Sequence, residues 1–357
     1  MYIVELPKEL EERARTLHRE AFVYDATVFD TGLLKDEKTE IQGLVDGGIN
    51  AANVTFCGHM HNFSRGVDSF YTHLKVVERN ADKLRFCTTV AELERCKKDG
   101  KIGIIAHFQD SKPIEDKLDY LNTFYRLGLR VLQLTYNVQG LVGAGCCERG
   151  DAGLSYFGLQ VVEECNRLGI LIDLSHVNHQ TSWDAIKHSK APVAFTHVGI
   201  YKLCPAYGRN KPDELLKAVV DTGGVVGIAW FAPLVKRNPE THKVLQASVD
   251  DVLDQMDYAI KLLGVDNVGI GTDLSDYNAR TLEVPPDSSI RWYRPLRPDV
   301  FGSGPTDRFD PAPIGLDSHA GILNITRGMV KRGYSDENIK KVLGGNWLRL
   351  LKRIWGK

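Results

Sequence analysis

Two imidazoles and one carboxylate stand at the carboxyl ends of three apolar, strand-like runs. These residues are His176, His197 and Asp273. Neutral ring nitrogens together with a hard anionic oxygen are the ligands that a divalent ion such as zinc requires. A single buried histidine is by default a hydrogen-bonded core residue, and the alternative interpretation of Asp273 is a cap for the next helix. The shared position at strand ends favours a metal site.

A second group of potential ligands follows two other apolar runs. His107 and Gln109 are two residues apart, so in a strand they lie on one face. His59 and His61 form a His-x-His pair after the run 49–56. These side chains are further candidates for a central site. The alternative for the histidine pair is two loop residues near the opening of a substrate pocket.

The order of the apolar runs predicts the fold that brings these residues together. Eight runs bounded by Gly, Asn or Asp are typical of strands, and they alternate with helix-like segments. This alternation predicts an α/β protein, a parallel (β/α)8 TIM-like barrel, whose reacting groups come from the carboxyl ends of the strands. The rival architecture is a doubly wound open sheet. The predicted strands are 21–28, 49–56, 101–108, 129–136, 170–176, 192–198, 224–231 and 267–273.

One helix carries a clear start pattern. Ser248 is followed three residues later by Asp251, which is typical of a capping box. Val252, Met256, Ile260 and Leu263 then recur on one helical face. The sequence therefore predicts an amphipathic helix that begins at Ser248 and buries this face.

We expect one barrel domain over residues 1–357, with a long loop insertion at about 277–313. The segment 277–313 is rich in Pro, Arg and Asp and has no periodicity, which is typical of a functional loop. It contains candidates to close over a substrate, and the alternative is a solvated basic loop. These candidates are Trp292, Tyr293, Arg294 and Arg297.

Composition excludes several classes of partner. The 45 basic and 46 acidic side chains give a net charge of -1, so no bulk positive field exists to hold nucleic acid or an anionic membrane. The charged first twenty residues have no apolar signal core, which predicts a cytoplasmic protein. The seven cysteines form no CxxC pair and are expected to be free thiols. A small-molecule substrate is the expected partner, and a homo-oligomer is compatible with the composition.

Several blocks of the sequence resemble a known family. They are IDLSHVNHQTSWDAIKHSKAPVAFTHVGIYKLCPAYGRNKPDELL, GLRVLQLTYN, GIGTDLSDY and GYSDENIKKVLGGNWLRLLKRIW. In order and spacing they resemble the renal (membrane) dipeptidase family of zinc metallopeptidases, which are amidohydrolase-type (β/α)8 barrels with a two-zinc site. The resemblance spans nearly the whole chain. It implies hydrolysis of the bond between two amino acids, or of a related amide, by metal-activated water.

The resemblance also implies roles for individual residues. His176 and His197 correspond to the two histidine ligands of the second zinc, and Asp273 corresponds to the acid/base residue. Arg209 corresponds to the arginine that binds the substrate carboxylate, since a planar guanidinium offers that group a two-pronged partner.

Two further positions complete the expected substrate contacts. Asn210 follows Arg209 in the same block of the sequence. Tyr136 stands where many dipeptidases have a substrate-facing histidine after the fourth strand of the barrel. We therefore expect Arg209, Asn210 and Tyr136 to bind the substrate.

Three positions depart from the family pattern. The His-x-Asp pair that holds the first zinc is replaced by Thr27 and Phe29, and the bridging glutamate is replaced by Gln109. A neutral amide has one acceptor oxygen and no charge, so it is a poor bridge between two cations. We therefore expect one divalent metal per chain, zinc by the resemblance, held by His176 and His197.

Two histidines need a third ligand, because catalytic zinc usually has three protein ligands and an open position. Asp273 is the leading candidate, since single-metal relatives in the wider amidohydrolase superfamily use this aspartate. His107, Asp25, His59 and Gln109 follow as further candidates.

Three functions compete for this set of residues. The first is a metal-dependent hydrolase of the dipeptidase type, which cleaves a dipeptide or related small amide with a free carboxylate. The second is a metal-dependent decarboxylase or other lyase on a small carboxylated molecule. The third is a non-catalytic barrel that binds a ligand. A metal count separates the third from the others, and a substrate panel separates the first two.

Overall fold

The computed structural model describes residues 2–29, 31–286 and 288–356. Seven of its strands lie within the predicted ranges, and an eighth, β2, extends one residue beyond its range. The ninth, at 84–86, was not predicted, because the charged Lys83 and Arg85 interrupt its apolar residues. The strands are β1 (Tyr24–Val28), β2 (Ala51–Cys57), β3 (Leu84–Phe86), β4 (Ile102–Phe108), β5 (Leu129–Gln133), β6 (Leu171–Asp173), β7 (Val193–Val198), β8 (Val226–Ile228) and β9 (Val268–Ile270).

The strands form a parallel barrel. Their order is β1-β2-β4-β5-β6-β7-β8-β9, and β3 pairs with β4 outside this path. The barrel closes just beyond β9, where Val28 and Leu274 form a parallel bridge. Across this seam the amide of Asp273 donates to the carbonyl of Thr27, and the amide of Phe29 donates to that of Leu274, each at 3.0 Å. The predicted barrel is confirmed, and the open-sheet alternative is wrong.

Helices surround the barrel. The strands β1, β2, β4 and β7 are buried along their whole length, as parallel strands covered on both faces are. No helix in the described part of the chain is both long and apolar enough to cross a membrane. The helices are α1 (Lys8–Glu20), α2 (Thr31–Lys35), α3 (Glu37–Asp46), α4 (Phe63–Arg79), α5 (Val90–Asp99), α6 (Leu118–Leu127), α7 (Tyr156–Leu168), α8 (His179–His188), α9 (Asp213–Asp221), α10 (Ala232–Val235), α11 (Val249–Leu263), α12 (Asp276–Thr281), α13 (Ser289–Leu296), α14 (Pro298–Phe301), α15 (Ile322–Lys331), α16 (Asp336–Lys340) and α17 (Asn346–Trp355).

The amino-terminal end of the barrel is closed by an aromatic plug. Trp347 of α17 stacks on Tyr24 with ring centroids 6.0 Å apart, and its indole N–H donates to the carbonyl of Ile270 at 3.1 Å. A side-chain carbon at Gly269 would lie 2.3 Å from Nε1 of Trp347, so this close approach requires glycine. The plug leaves the opposite end of the barrel, where the strands finish, for a functional site.

The helix predicted from its capping pattern is confirmed as α11. The carboxylate of Asp251 accepts hydrogen bonds from the backbone N–H and the hydroxyl of Ser248, at 2.8 and 2.9 Å. Val252, Met256 and Leu263 are buried on one face of this helix.

The segment 277–313, predicted as a long loop insertion, contains short helices. It contains the end of α12 and the short helices α13 and α14. Ser288 caps α13 by accepting a hydrogen bond from the amide of Ile290, and Pro298 begins α14. Helices of four to eight residues span too few turns to produce a recognisable apolar period, which is why the sequence pattern missed them.

Candidate active site

A cavity of about 240 Å³ opens at the carboxyl ends of the barrel strands. Its polar lining comes largely from residues that follow β2, β4, β5, β6, β7 and β9, as expected for a (β/α)8 barrel. Seven of the residues predicted from the sequence line it: His59, His61, Gln109, Tyr136, His176, Arg209 and Asp273.

The two predicted metal-binding histidines face each other at the base of this site. Nε2 of His176 lies 3.0 Å from Nε2 of His197, and both residues are buried. Burial and the nearby Arg209 hold the pKa values of both imidazoles well below their ordinary range. Both rings are therefore neutral at pH 7, which is the form that binds a metal.

Hydrogen bonds to the other ring nitrogen fix the tautomer of each histidine. Nδ1 of His176 lies 2.8 Å from the amide oxygen of Asn137, so it must donate. Nδ1 of His197 lies 2.7 and 3.0 Å from the hydroxyls of Thr196 and Thr27. Those hydroxyls donate to Asp173 and to the carbonyl of Ala26, at 2.7 and 2.6 Å, so Nδ1 of His197 is also a donor. Both Nε2 atoms then carry lone pairs that converge, and such a pair fits a bound cation.

His107 and Asp25, two further candidate ligands, lie away from the cavity. His107 is fully buried with Nε2 3.3 Å from the carboxylate of Asp173. Asp25 accepts hydrogen bonds from the amide and hydroxyl of Thr272, at 2.9 and 2.7 Å. Both side chains are engaged with neighbours inside the barrel, so neither placement supports a role as third ligand.

Asp173 lies beneath the histidine pair and orders the hydroxyl groups around it. It accepts hydrogen bonds from the hydroxyls of Ser175 and Thr196, at 2.6 and 2.7 Å. Burial alone would raise the pKa of Asp173, but the adjacent rings of His107 and His197 hold it well below its ordinary range. A permanent negative charge therefore lies below the histidine pair.

Arg209 supplies the positive charge of the cavity. Its side chain is 1% exposed, and Nη1 donates to the carbonyl of His197 at 2.7 Å. Nε and Nη2 have no hydrogen-bond partner among the described residues. A buried guanidinium with two unpartnered donors has the geometry that binds a planar anion.

Asn210 has a different role from the one predicted. It does not line the cavity, and its side-chain oxygen accepts from the amide of Gly199 at 3.0 Å. Its amide group donates to the carbonyls of Cys204 and Leu234, at 2.7 and 2.9 Å. This placement does not support substrate binding by Asn210, because its hydrogen-bonding groups hold the loop that carries Arg209.

Asp273 lies beside Arg209, with 3.7 Å between Oδ2 and Nη2. It has a left-handed backbone conformation with φ of 56°, which is uncommon for a residue other than glycine and concentrates at functional sites. Burial raises the pKa of Asp273 to about 7, although Arg209 opposes the shift. A carboxyl group with this pKa can both accept and donate a proton near neutral pH.

Tyr136 forms the centre of a column of three rings. Its ring is stacked on His59 at 4.8 Å between centroids and on His176 at 4.2 Å. The column holds the His176 ring in the orientation set by Asn137, and it places Tyr136 and His59 in the cavity wall.

Several aromatic side chains from beyond the strand ends also line the cavity. Phe231 packs edge to face against Phe301 and Phe309, with centroids 6.5 and 6.3 Å apart. The residues predicted to close over the substrate do not line the cavity: Trp292 is 71% exposed, and Arg294 pairs with Asp310. Tyr293 and Arg297 likewise lie outside the lining.

The sequence matches the family described as membrane dipeptidase (peptidase family M19) over residues 18–284. The chain belongs to this family. An amidohydrolase from Pseudomonas aeruginosa is 32% identical, with a TM-score of 0.82 over 96% of this chain and 99% of that one. The probable dipeptidase PvdM from the same organism has the same fold, at 19% identity and a TM-score of 0.81 over 98% and 100%. An uncharacterised dipeptidase of Schizosaccharomyces pombe is 35% identical over 179 residues, which cover 49% of this chain and 42% of that protein.

Membership of the membrane dipeptidase family makes the chain a hydrolytic enzyme. The family also implies a divalent metal, typically zinc. The converging Nε2 atoms of His176 and His197 fit one such ion. Within the described residues no group of three or more His, Cys, Asp or Glu side chains converges on a metal position. The residues therefore fit a single metal held by two histidines, and they do not fit the two-zinc centre of the family pattern.

The three departures from the family pattern lie on one side of the barrel. Thr27 and Phe29 lie at the end of β1 and Gln109 follows β4, whereas His176 and His197 belong to the β6 and β7 side. Thr27 accepts a hydrogen bond from His197, and Phe29 contributes an apolar surface to the cavity. The side-chain nitrogen of Gln109 has no hydrogen-bond partner in the described part of the chain.

A second buried cluster was missed by the sequence analysis. We call it the His319 cluster; it consists of Asp25, Glu40, Asp276 and His319. Nδ1 of His319 lies 2.8 Å from Asp276, and its ring nitrogens lie 3.7 and 3.8 Å from Asp25 and Glu40. Burial alone would lower the pKa of His319, but the three carboxylates raise it to about 9. His319 is distant from its partners in sequence and stands outside any apolar run, so no pattern indicated this cluster.

Proposed function

We propose that the chain hydrolyses a small amide whose free carboxylate binds Arg209, a substrate class that includes dipeptides. The observation that carries this proposal is the buried guanidinium of Arg209, which has two unpartnered donors beside the carboxyl group of Asp273. Nε and Nη2 match the spacing of a carboxylate, and two charge-assisted hydrogen bonds fix both the position and the orientation of the substrate.

Asp273 is the group that moves the proton. With a pKa of about 7, it accepts a proton from the attacking water and returns it to the nitrogen of the leaving amine. The side-chain nitrogen of Gln109 is a free donor in the same cavity, and it is suited to donate to the carbonyl oxygen as negative charge develops there.

His176 and His197 are the residues that would hold one divalent metal, zinc by analogy with the family. When bound, this ion supplies Lewis acidity and lowers the pKa of water. The chain contributes the two Nε2 lone pairs to this metal site. Asn137, Thr27 and Thr196 orient them by fixing the tautomer of each histidine.

The test compares amides that carry a carboxylate with their carboxamide analogues. A panel of dipeptides and N-acyl amino acids is assayed for amine release with zinc present. In Arg209→Ala we expect KM for the carboxylates to rise about 10- to 100-fold, and KM for the carboxamides to stay unchanged.

Arg209→Lys is the second variant, because it keeps the buried charge and loses only the planar fork. We expect it to recover part of the affinity for carboxylates. The proposal is contradicted if the wild-type protein cleaves no compound of the panel. It is also contradicted if Arg209→Ala loses activity on carboxylates and on carboxamides equally.

A further inference from the structure

The cavity combines one anion site with an apolar lining, and this combination bears on the substrate of the proposed hydrolase. The apolar residues come from the end of β1, from the start of α10 and from the segment around α13 and α14. They include Phe29, Phe231, Ile290, Phe301 and Phe309. A ligand anchored by its carboxylate at Arg209 therefore places the rest of its surface against apolar groups.

Each acidic side chain of the cavity lies beside a guanidinium group. Among the described residues of the lining, the carboxyl groups are those of Asp273 and Asp310. Asp310 pairs with Arg294, whose side chain is 2% exposed. Asp273 lies 3.7 Å from Arg209, and that guanidinium repels a second cation. An ammonium group bound here would lose water and gain no carboxylate of its own, which is unfavourable.

We propose that the substrate is an N-acyl amino acid with an apolar acyl group, and that a dipeptide with a free amino group is disfavoured. This inference rests on the proposed function. The amino-acid carboxylate binds Arg209, and the acyl chain packs on Phe231, Phe301 and Phe309. Hydrolysis adds one water across the amide C–N bond, with OH on the acyl carbon and H on the nitrogen. The products are a fatty or aryl-alkanoic acid and a free amino acid.

The matched probes are 3-phenylpropanoyl-glycine and phenylalanyl-glycine, which differ only in the α-ammonium group. Each is titrated into the full chain by calorimetry with EDTA present, so that turnover does not consume the ligand. Each is then assayed for glycine release with zinc. We expect the acyl compound to bind at least about tenfold more tightly. Equal or tighter binding of the dipeptide overturns the proposal.

A variant pair tests whether charge on the apolar wall sets the preference. Phe309 is half-buried and packs on Phe231. Phe309→Asp places a carboxylate in the wall, so we expect it to reduce the preference for the acyl compound or to reverse it. Phe309→Asn is the matched control, since it removes the same ring without adding charge, and it should keep the preference. Identical preferences in the two variants count against the proposal.

The outcomes separate this inference from the function on which it rests. Tight binding of 3-phenylpropanoyl-glycine without glycine release supports the assigned ligand class and overturns hydrolysis. Glycine release from phenylalanyl-glycine, with weaker binding of the acyl compound, supports hydrolysis and overturns the ligand class. Failure of both compounds to bind overturns both.

Discussion

Two buried polar clusters of this barrel differ in whether they face the cavity. We call the first the histidine centre; it consists of His176, His197, Arg209 and Asp273. Arg209 has two donors without partners, and three of the four residues line the cavity. In the His319 cluster, by contrast, a protonated histidine lies within 4 Å of three carboxylates, and none of its members lines the cavity.

This difference separates a functional cluster from a structural one. Buried polar groups are normally satisfied, so unpartnered donors that face a cavity indicate a ligand. Buried charges that are paired with one another instead hold elements together. Here the His319 cluster joins β1, α3 and α12 to the segment before α15. The His319 cluster therefore contributes structure, while residues that follow β6, β7 and β9 keep the groups suited to chemistry.

The largest expected effect is on the chemistry of the histidine centre. Asp273→Asn keeps the size of the side chain and removes its ability to take a proton, so kcat should fall by about 10²- to 10⁴-fold with KM little changed. The measurement is amine release from the best substrate of the panel, with thermal unfolding as a check on the fold. Full turnover in this variant would contradict hydrolysis and favour the lyase alternative.

The next effect is on stability and concerns the His319 cluster. His319→Asn keeps a donor toward Asp276 and removes the positive charge, which leaves three carboxylates uncompensated. We expect the free energy of unfolding to fall by about 3–5 kcal/mol. Urea denaturation measures it, and the exposed His188→Asn should cost less than about 0.5 kcal/mol. A loss below about 1 kcal/mol in His319→Asn would show that the cluster is not structural.

The stability that the His319 cluster contributes should depend on pH. Burial alone would lower the pKa of His319, but the carboxylates raise it from 6.5 to about 9, so its protonation favours the folded state below pH 6.5. That stability is lost as the pH rises through about 9, and it amounts to roughly 3 kcal/mol. Burial raises the pKa of Glu40 to about 7, so protonation of Glu40 also favours the folded state. That stability is lost as the pH rises through about 7. Denaturation at pH 6 and pH 10 should show a smaller difference between wild type and His319→Asn at pH 10, and a constant difference would be the contrary result.

The smallest expected effect tests one contact of the cavity wall. Tyr136→Phe keeps the ring stacked between His59 and His176 and removes only the hydroxyl. The loss of one hydrogen bond to substrate should raise KM about two- to tenfold, with little change in metal affinity. An unchanged KM would indicate that Tyr136 only positions His176.

The sequence predicted the barrel because strand patterns are local, and the roles of the site residues stay predictions. His176, His197 and Asp273 each close an apolar run, and strand ends meet at one end of a barrel. Asn210 was wrongly placed by its proximity to Arg209, since neighbouring residues in a turn point in different directions. His319 and Phe309 were missed because their neighbours are distant in sequence, so only the folded chain brings them together. The sequence did not predict the short helices α13 and α14, because each has too few turns to show a full period of apolar residues.

The most direct test of a single-metal site at His176 and His197 is the number of zinc ions that the chain binds. Protein loaded with zinc and freed of excess metal is analysed for zinc per chain. We expect at most one equivalent, an affinity at least 10- to 100-fold lower in His176→Ala, and no change in His188→Ala. Two tightly bound equivalents in the wild type would contradict the account, because Thr27, Phe29 and Gln109 offer the second ion no carboxylate or imidazole.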